Sequence, residues 1–183
     1  MRPDRALPAL LSLALSLPCP AAAEPAGAFG LGRPATPEVI AAWDIDARAD
    51  GQGLPPGRGS VREGAAVFSE RCAGCHGGRG EGAAAEALAG GRGSLATAKP
   101  VRTVGSFWPY ATTLFDYVRR AMPFDAPQSL SPDETYAVSA YVLHLNGLLP
   151  EEASLDAGSL PKVLMPNRDG FTADPRPDVP AGR

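Results

Sequence analysis

Cysteine and histidine are scarce in this chain of 183 residues, which carries three of the first and two of the second. Cys19 falls within an apolar leader, so the remaining donors are Cys72, Cys75, His76 and His144. A zinc site needs about four protein ligands, or three and a water, and no second cysteine pair is present to supply them. No apolar run approaches the ~20 residues that a membrane-spanning helix requires, so no membrane span is expected. No Gly-x-x-x-x-Gly-Lys sequence follows a strand-like segment, which excludes a phosphate loop for the glycines after His76. The formal net charge is −3, and a mildly acidic surface argues against nucleic acid as a partner and against anionic lipid.

What is present is Cys72-Ala73-Gly74-Cys75-His76. Two thiols three residues apart project to one side of a turn. They can form thioethers to the two vinyl groups of a haem while the adjacent histidine ligates the iron. A thioredoxin-like pair would sit beside a βαβ pattern, whereas the flanks here are helical and Gly-rich. A plain disulfide would leave His76 as a coincidence. The sequence therefore predicts one covalent haem c held by Cys72 and Cys75, with His76 on the iron. A carbonyl of the Gly-rich loop that follows is expected to accept from the other ring nitrogen of His76 and so fix its tautomer.

Met1 to Arg5 holds two arginines, Ala6 to Leu17 is apolar, and Ala21 to Ala23 offers small residues at a cleavage point. This reads as a secretory signal peptide over 1–23, and export agrees with covalent haem attachment, which bacteria carry out beyond the cytoplasmic membrane. The expected compartment is the periplasm. Glycine (21) and proline (20) are abundant, so long irregular stretches are expected, with the apolar face of the haem adding to a modest polypeptide core. Residues 24–59 form an N-terminal arm with a short helix from Thr36 to Trp43; composition allows either an arm lying on the haem domain or a disordered linker. The domain itself spans 60–148, and a second arm spans 149–183.

Within the domain, Ser60-Val61-Arg62-Glu63 is a capping box that starts a helix ending at Cys72. Thr112 or Thr113 is expected to cap a short helix carrying Leu114, Phe115 and Val118, which Pro123 stops just after Met122. Ser131-Pro132-Asp133-Glu134 starts the last helix, and Gly147 follows its end. Ala137, Ala140, Tyr141 and His144 share one face of that helix. Ser106 to Tyr110 is the densest aromatic cluster; Trp108 and Tyr110 either cover a haem, with their N–H and O–H on a propionate, or pack as ordinary core. Met165 to Phe171 reads as a structured turn in the second arm. Trp43, Leu54, Leu160, Val163 and Phe171 suggest that the arms offer docking surface as well as self-coverage.

The order of these elements resembles a class I cytochrome c over roughly residues 60–148. A narrower resemblance rests on Ala42 to Asp46, Gly51 to Gly57, Thr103 to Tyr117, Arg119 to Phe124, Leu145 to Gly147 and Met165 to Phe171. These stretches are similar to the cytochrome subunits of molybdenum sulfite dehydrogenase and of the sulfur-oxidation (Sox) sulfane dehydrogenase. The Sox subunit is typically larger with two haems, whereas this chain has one attachment site. The resemblance implies an all-α fold in which the N- and C-terminal helices cross around one covalent haem, with Gly64 and Phe68 against Tyr141. It implies Met122 as the second iron ligand, with Met165 and His144 as the other candidates. It further implies an electron-transfer subunit, not a catalyst by itself, that accepts electrons from a molybdopterin-containing dehydrogenase subunit and passes them to a downstream c-type cytochrome. A free-standing haem enzyme with an open iron, and a soluble shuttle without a dedicated partner, are the alternatives; rapid binding of cyanide or carbon monoxide would mark the open iron.

Overall fold

Among the described residues, three helices begin at a hydroxyl side chain answered three residues later. In each case the hydroxyl accepts from the backbone N–H of the third helical residue, whose side chain reaches back to the capping residue's own N–H. Ser60 and Glu63 start α2 (Val61–Arg71), Thr103 and Ser106 start α4 (Val104–Phe107), and Ser131 and Glu134 start α6 (Pro132–Leu145). The other α-helices among the described residues are α1 (Pro37–Trp43), the single turn α3 (Ala73–His76) and α5 (Ala111–Ala121). The computed structural model describes residues 31–174. The leader, Cys19 and nearly all of the C-terminal tail lie outside the described residues. Residues 31–36 carry no regular structure.

The Glu63 and Glu134 carboxyls are held below the usual carboxylate range, chiefly by the hydroxyls of Ser60 and Ser131 and then by the backbone N–H of the same serines. A carboxyl whose folded pKa is depressed stabilises the fold above its unfolded pKa, about 4.3 for glutamate, and that contribution is lost as pH falls through the folded value. Thermal melts should therefore show stability declining below about pH 4.3, and Glu134→Gln, which can still close the box, should flatten part of that decline. Ser131→Ala should cost about 1 kcal/mol at neutral pH.

The sequence expectation for α5 is corrected. Tyr110 occupies the N-cap in extended conformation, with no side-chain capping bond. Thr112 lies inside the helix and is 1% exposed, so its hydroxyl faces the interior while Thr113 faces solvent. The stop is as expected: α5 ends at Ala121, Met122 is its C-cap, and Pro123 follows.

The core sits where α2, α5 and α6 meet, and Phe68, Phe115, Tyr136 and Leu143 are its largest enclosed side chains. Helices α2 and α6 cross at Gly64, where an added Cβ would overlap the Ala137 carbonyl and come within 2.8 Å of the Tyr141 Cβ. Phe68 and Tyr141 pack ring to ring beside the crossing, centroids 5.3 Å apart. The fold is all-α around the crossed pair α2 and α6, as the sequence resemblance implies, with extended segments on either side.

The flanking segments are more ordered than their composition suggests. β1 (Arg58–Ser60) pairs antiparallel with β2 (Ser154–Asp156), Gly59 opposite Leu155, so the two arms are joined across the start of α2. Each strand has three residues, too few for an alternating pattern to register in sequence. Upstream, the Asp116 carboxylate accepts from the Ala47 N–H at 2.7 Å and pairs with Arg120. Arg119 donates to the Ile45 carbonyl at 2.9 Å, and the buried Tyr136 hydroxyl donates to the Pro55 carbonyl at 2.9 Å. Downstream, a 3-10 turn (Leu160–Lys162) inserts Leu160, and Val163 and Met165 join the core. Leu160 and Val163 are therefore interior side chains and not docking surface, while Leu54 is half-buried. Trp43, 81% exposed, and Phe171, 54% exposed, remain on the surface. No helix among the described residues is long and apolar enough to cross a membrane.

Candidate haem-attachment site

Helix α2 hands directly into the attachment motif. Cys72 is the C-cap of α2, its N–H donating to the Phe68 carbonyl at 2.9 Å, and also the N-cap of α3. Its carbonyl accepts from the N–H groups of Cys75 at 3.1 Å and His76 at 3.0 Å. One turn thus gathers both thiols and the imidazole, and neither Cys72 nor Cys75 is in a disulfide. Burial pushes the Cys72 thiol up to about 11. Dithiol redox sites work with a thiol pKa lowered well below 8.5, so the environment of Cys72 runs counter to that chemistry and keeps a neutral thiol.

His76 Nδ1 lies 2.9 Å from the Glu86 carbonyl oxygen. That contact calls for the proton on Nδ1, which leaves the Nε2 lone pair for a metal. The expected loop carbonyl is therefore present, ten residues beyond the histidine. The loop is pinned back onto the motif at two further points: Gly82 N–H donates to the His76 carbonyl at 2.7 Å and Ala85 N–H to the Cys75 carbonyl at 2.8 Å. Gly77 and Gly80 carry positive φ, +80° and +69°, in the tight turn between, a conformation that glycine adopts without a Cβ penalty.

Met122 is half-buried at the end of α5, with its N–H on the Val118 carbonyl at 3.1 Å. Met165 is 4% exposed within the core. His144 is half-buried on α6, its Nδ1 2.9 Å from the Leu149 carbonyl, and its ring is stacked near Tyr141. Trp108 is half-buried and meets Tyr117 edge-on at 6.0 Å. Tyr110 lies beneath the Arg168 guanidinium at 4.7 Å. The turn that Arg168 belongs to is fastened by Asn167, whose amide donates to the Phe107 carbonyl at 2.7 Å, and by Phe171 against Phe107 at 5.2 Å. Among the described residues, no group of three His, Cys, Asp or Glu side chains is placed to hold a metal ion. What the Cys72 to His76 turn gathers is of another kind: two thiols in no disulfide and one imidazole whose Nδ1 meets a backbone carbonyl.

The sequence reading missed the role of Asn146, whose carboxamide reaches the histidine loop from the end of α6; the run Leu145-Asn146-Gly147 was the available signal. It also missed the Thr103 cap of α4, although Thr103-Val104-Gly105-Ser106 has the spacing of a capping box.

The cytochrome c family profile matches residues 61–146, from the first residue of α2 to the end of α6. No curated protein matches the chain significantly. Among solved structures, a chain in the crystal structure of the sulfane dehydrogenase SoxCD from Paracoccus pantotrophus is similar at 49% identity and a TM-score of 0.75, with 80% of this chain and 73% of that one covered. The capped helices, the CxxCH turn with its tethered histidine and these matches agree: the chain belongs to the cytochrome c family.

Proposed function

We propose that this chain is a periplasmic electron-transfer subunit with one covalent haem c, which takes electrons from a molybdenum-containing subunit that oxidises sulfite or a sulfane intermediate and passes them to a downstream c-type cytochrome. The observation that carries the reading is His76, tied through Nδ1 to the Glu86 carbonyl beside two unpaired thiols. The likeness to a chain of a sulfane dehydrogenase over most of the length supports the choice of partner. The organisation belonging to this proposal is a leader over 1–23, arms over 24–59 and 149–183, and the cytochrome domain over 60–148.

Bound haem would supply a one-electron iron couple. Cys72 and Cys75 would hold it through thioethers, His76 Nε2 and the Met122 sulfur would be its iron donors, and Trp108 and Tyr110 would line it with their polar tips available to the propionates. Donation by a methionine and a histidine would raise the potential relative to two histidines, which suits a chain that accepts electrons. The sulfur chemistry belongs to the partner.

Mass spectrometry of the denatured mature chain should show one haem still attached; removal of all haem by acid acetone would overturn covalent attachment. A molybdenum protein should co-purify in fixed ratio from the periplasm, and purification of the cytochrome alone at native expression would argue for the shuttle instead.

A further inference from the structure

The Glu86 carbonyl can orient His76 only if the loop that carries it is held. One side of the loop is anchored by the Ala85 N–H on the Cys75 carbonyl. The other side is held by the Leu88 and Ala89 N–H groups on the Gly80 carbonyl, at 2.8 and 2.9 Å, by the Val104 N–H on the Leu88 carbonyl at 3.3 Å, and by the side chain of Asn146. Asn146 Nδ2 donates to the Leu88 carbonyl at 3.0 Å and to the Val142 carbonyl at 2.9 Å, and its Oδ1 accepts from the Gly90 N–H at 3.2 Å. Both amide hydrogens and the amide oxygen are engaged. The side chain is itself boxed in: Asn146 is 9% exposed, and Gly105 lies so close that an added Cβ would overlap the carboxamide. Thr103 Oγ1 donates to the Gly90 carbonyl at 2.7 Å and supports the same loop from α4.

We infer that Asn146 is a positioning residue for the histidine ligand, acting through the 86–90 loop to fix the Glu86 carbonyl against His76 Nδ1. This rests on the functional reading above, in which His76 Nε2 faces iron. A carbonyl held against Nδ1–H makes the imidazole a stronger donor and favours oxidised iron. Release of the loop weakens that hydrogen bond and shifts the couple towards the reduced form. The end of α6 thereby sets the electronic character of a ligand seventy residues earlier in the chain, although it does not touch that ligand.

The test uses the haem-loaded full-length mature chain with Asn146→Ala, and with Asn146→Asp as a variant of nearly equal volume that keeps the acceptor for Gly90 but loses both donors. Val138→Ala, at a buried position of the same helix, supplies a comparison destabilised without touching the loop. Exchange of the His76 Nδ1–H with solvent, read by NMR, should become about tenfold faster in the Asn146 variants, the change expected for loss of hydrogen bonds to the loop. The ratio of reduced to oxidised haem at a fixed solution potential should rise several-fold. Val138→Ala should move neither. Unchanged exchange and an unchanged ratio in Asn146→Asp, or equal changes in Val138→Ala, would overturn the inference. Iron-shifted ring signals from His76 in the unsubstituted chain test the functional reading separately; their absence would overturn ligation by His76 whatever the Asn146 variants do.

Discussion

Gly64→Ala is expected to destabilise the folded chain by about 2–3 kcal/mol. On an exposed helix the same change would stabilise by about 1 kcal/mol, because alanine loses less backbone freedom than glycine on folding. Here the added methyl would overlap the Ala137 carbonyl and crowd the Tyr141 Cβ. The nearest obstacle is the backbone of α6 and not the tip of a flexible side chain, so relief requires the two helices to move apart. Separation would also loosen the Phe68 and Tyr141 rings beside the crossing. The clash therefore outweighs the propensity gain. Gly78, with nothing within 4 Å of the position its Cβ would take, provides the control: Gly78→Ala should stay within about 0.5 kcal/mol of the parent. Denaturant titration of both variants with haem attached measures the difference, and a Gly64→Ala midpoint equal to the parent would show that the crossing has slack.

How much of this was legible in the sequence depends on the distance over which each feature is made. The Ser60 and Ser131 caps are built from residues three apart, and both were readable, as was the Cys72 to His76 turn. The Thr112 or Thr113 cap was misplaced because a hydroxyl near a helix start serves equally well as a buried side chain, and Trp108-Pro109-Tyr110 brings the chain to the helix before either threonine. The crossing of Gly64 with α6 has no local sequence signature; it was reached only through the family resemblance. The β1–β2 ribbon joins residues that are 98 positions apart at Arg58 and Asp156, and neither three-residue strand announces itself. Asn146 is the sharpest case. Two of its partners are a backbone carbonyl and a backbone N–H 58 and 56 residues away, and backbone atoms leave no residue type to recognise. A polar residue at a helix end reads as a solvated cap until the fold brings a loop onto it.

Met122→Leu should leave the fold nearly intact and remove the proposed second iron donor. Leucine keeps a similar volume, and a swap of this kind costs less than about 1.5 kcal/mol. What disappears is the thioether sulfur. Position favours Met122 over Met165 for this role. Met122 sits where α5 ends, and the chain buries it only in part. Met165 lies beyond α6 and belongs with Leu160 and Val163 to the protein's own core, where its sulfur already has packing partners. His144 is half-buried and fixed on the α6 face, its ring stacked near Tyr141. The oxidised Met122→Leu chain should accordingly lose the weak iron–sulfur charge-transfer absorption at the red end of the spectrum and bind cyanide readily. Met165→Leu should keep the band and show at most a small loss of stability. The reverse pattern, with the band retained in Met122→Leu and lost in Met165→Leu, would move the second ligand from the end of α5 to the C-terminal arm and make that arm part of the iron site.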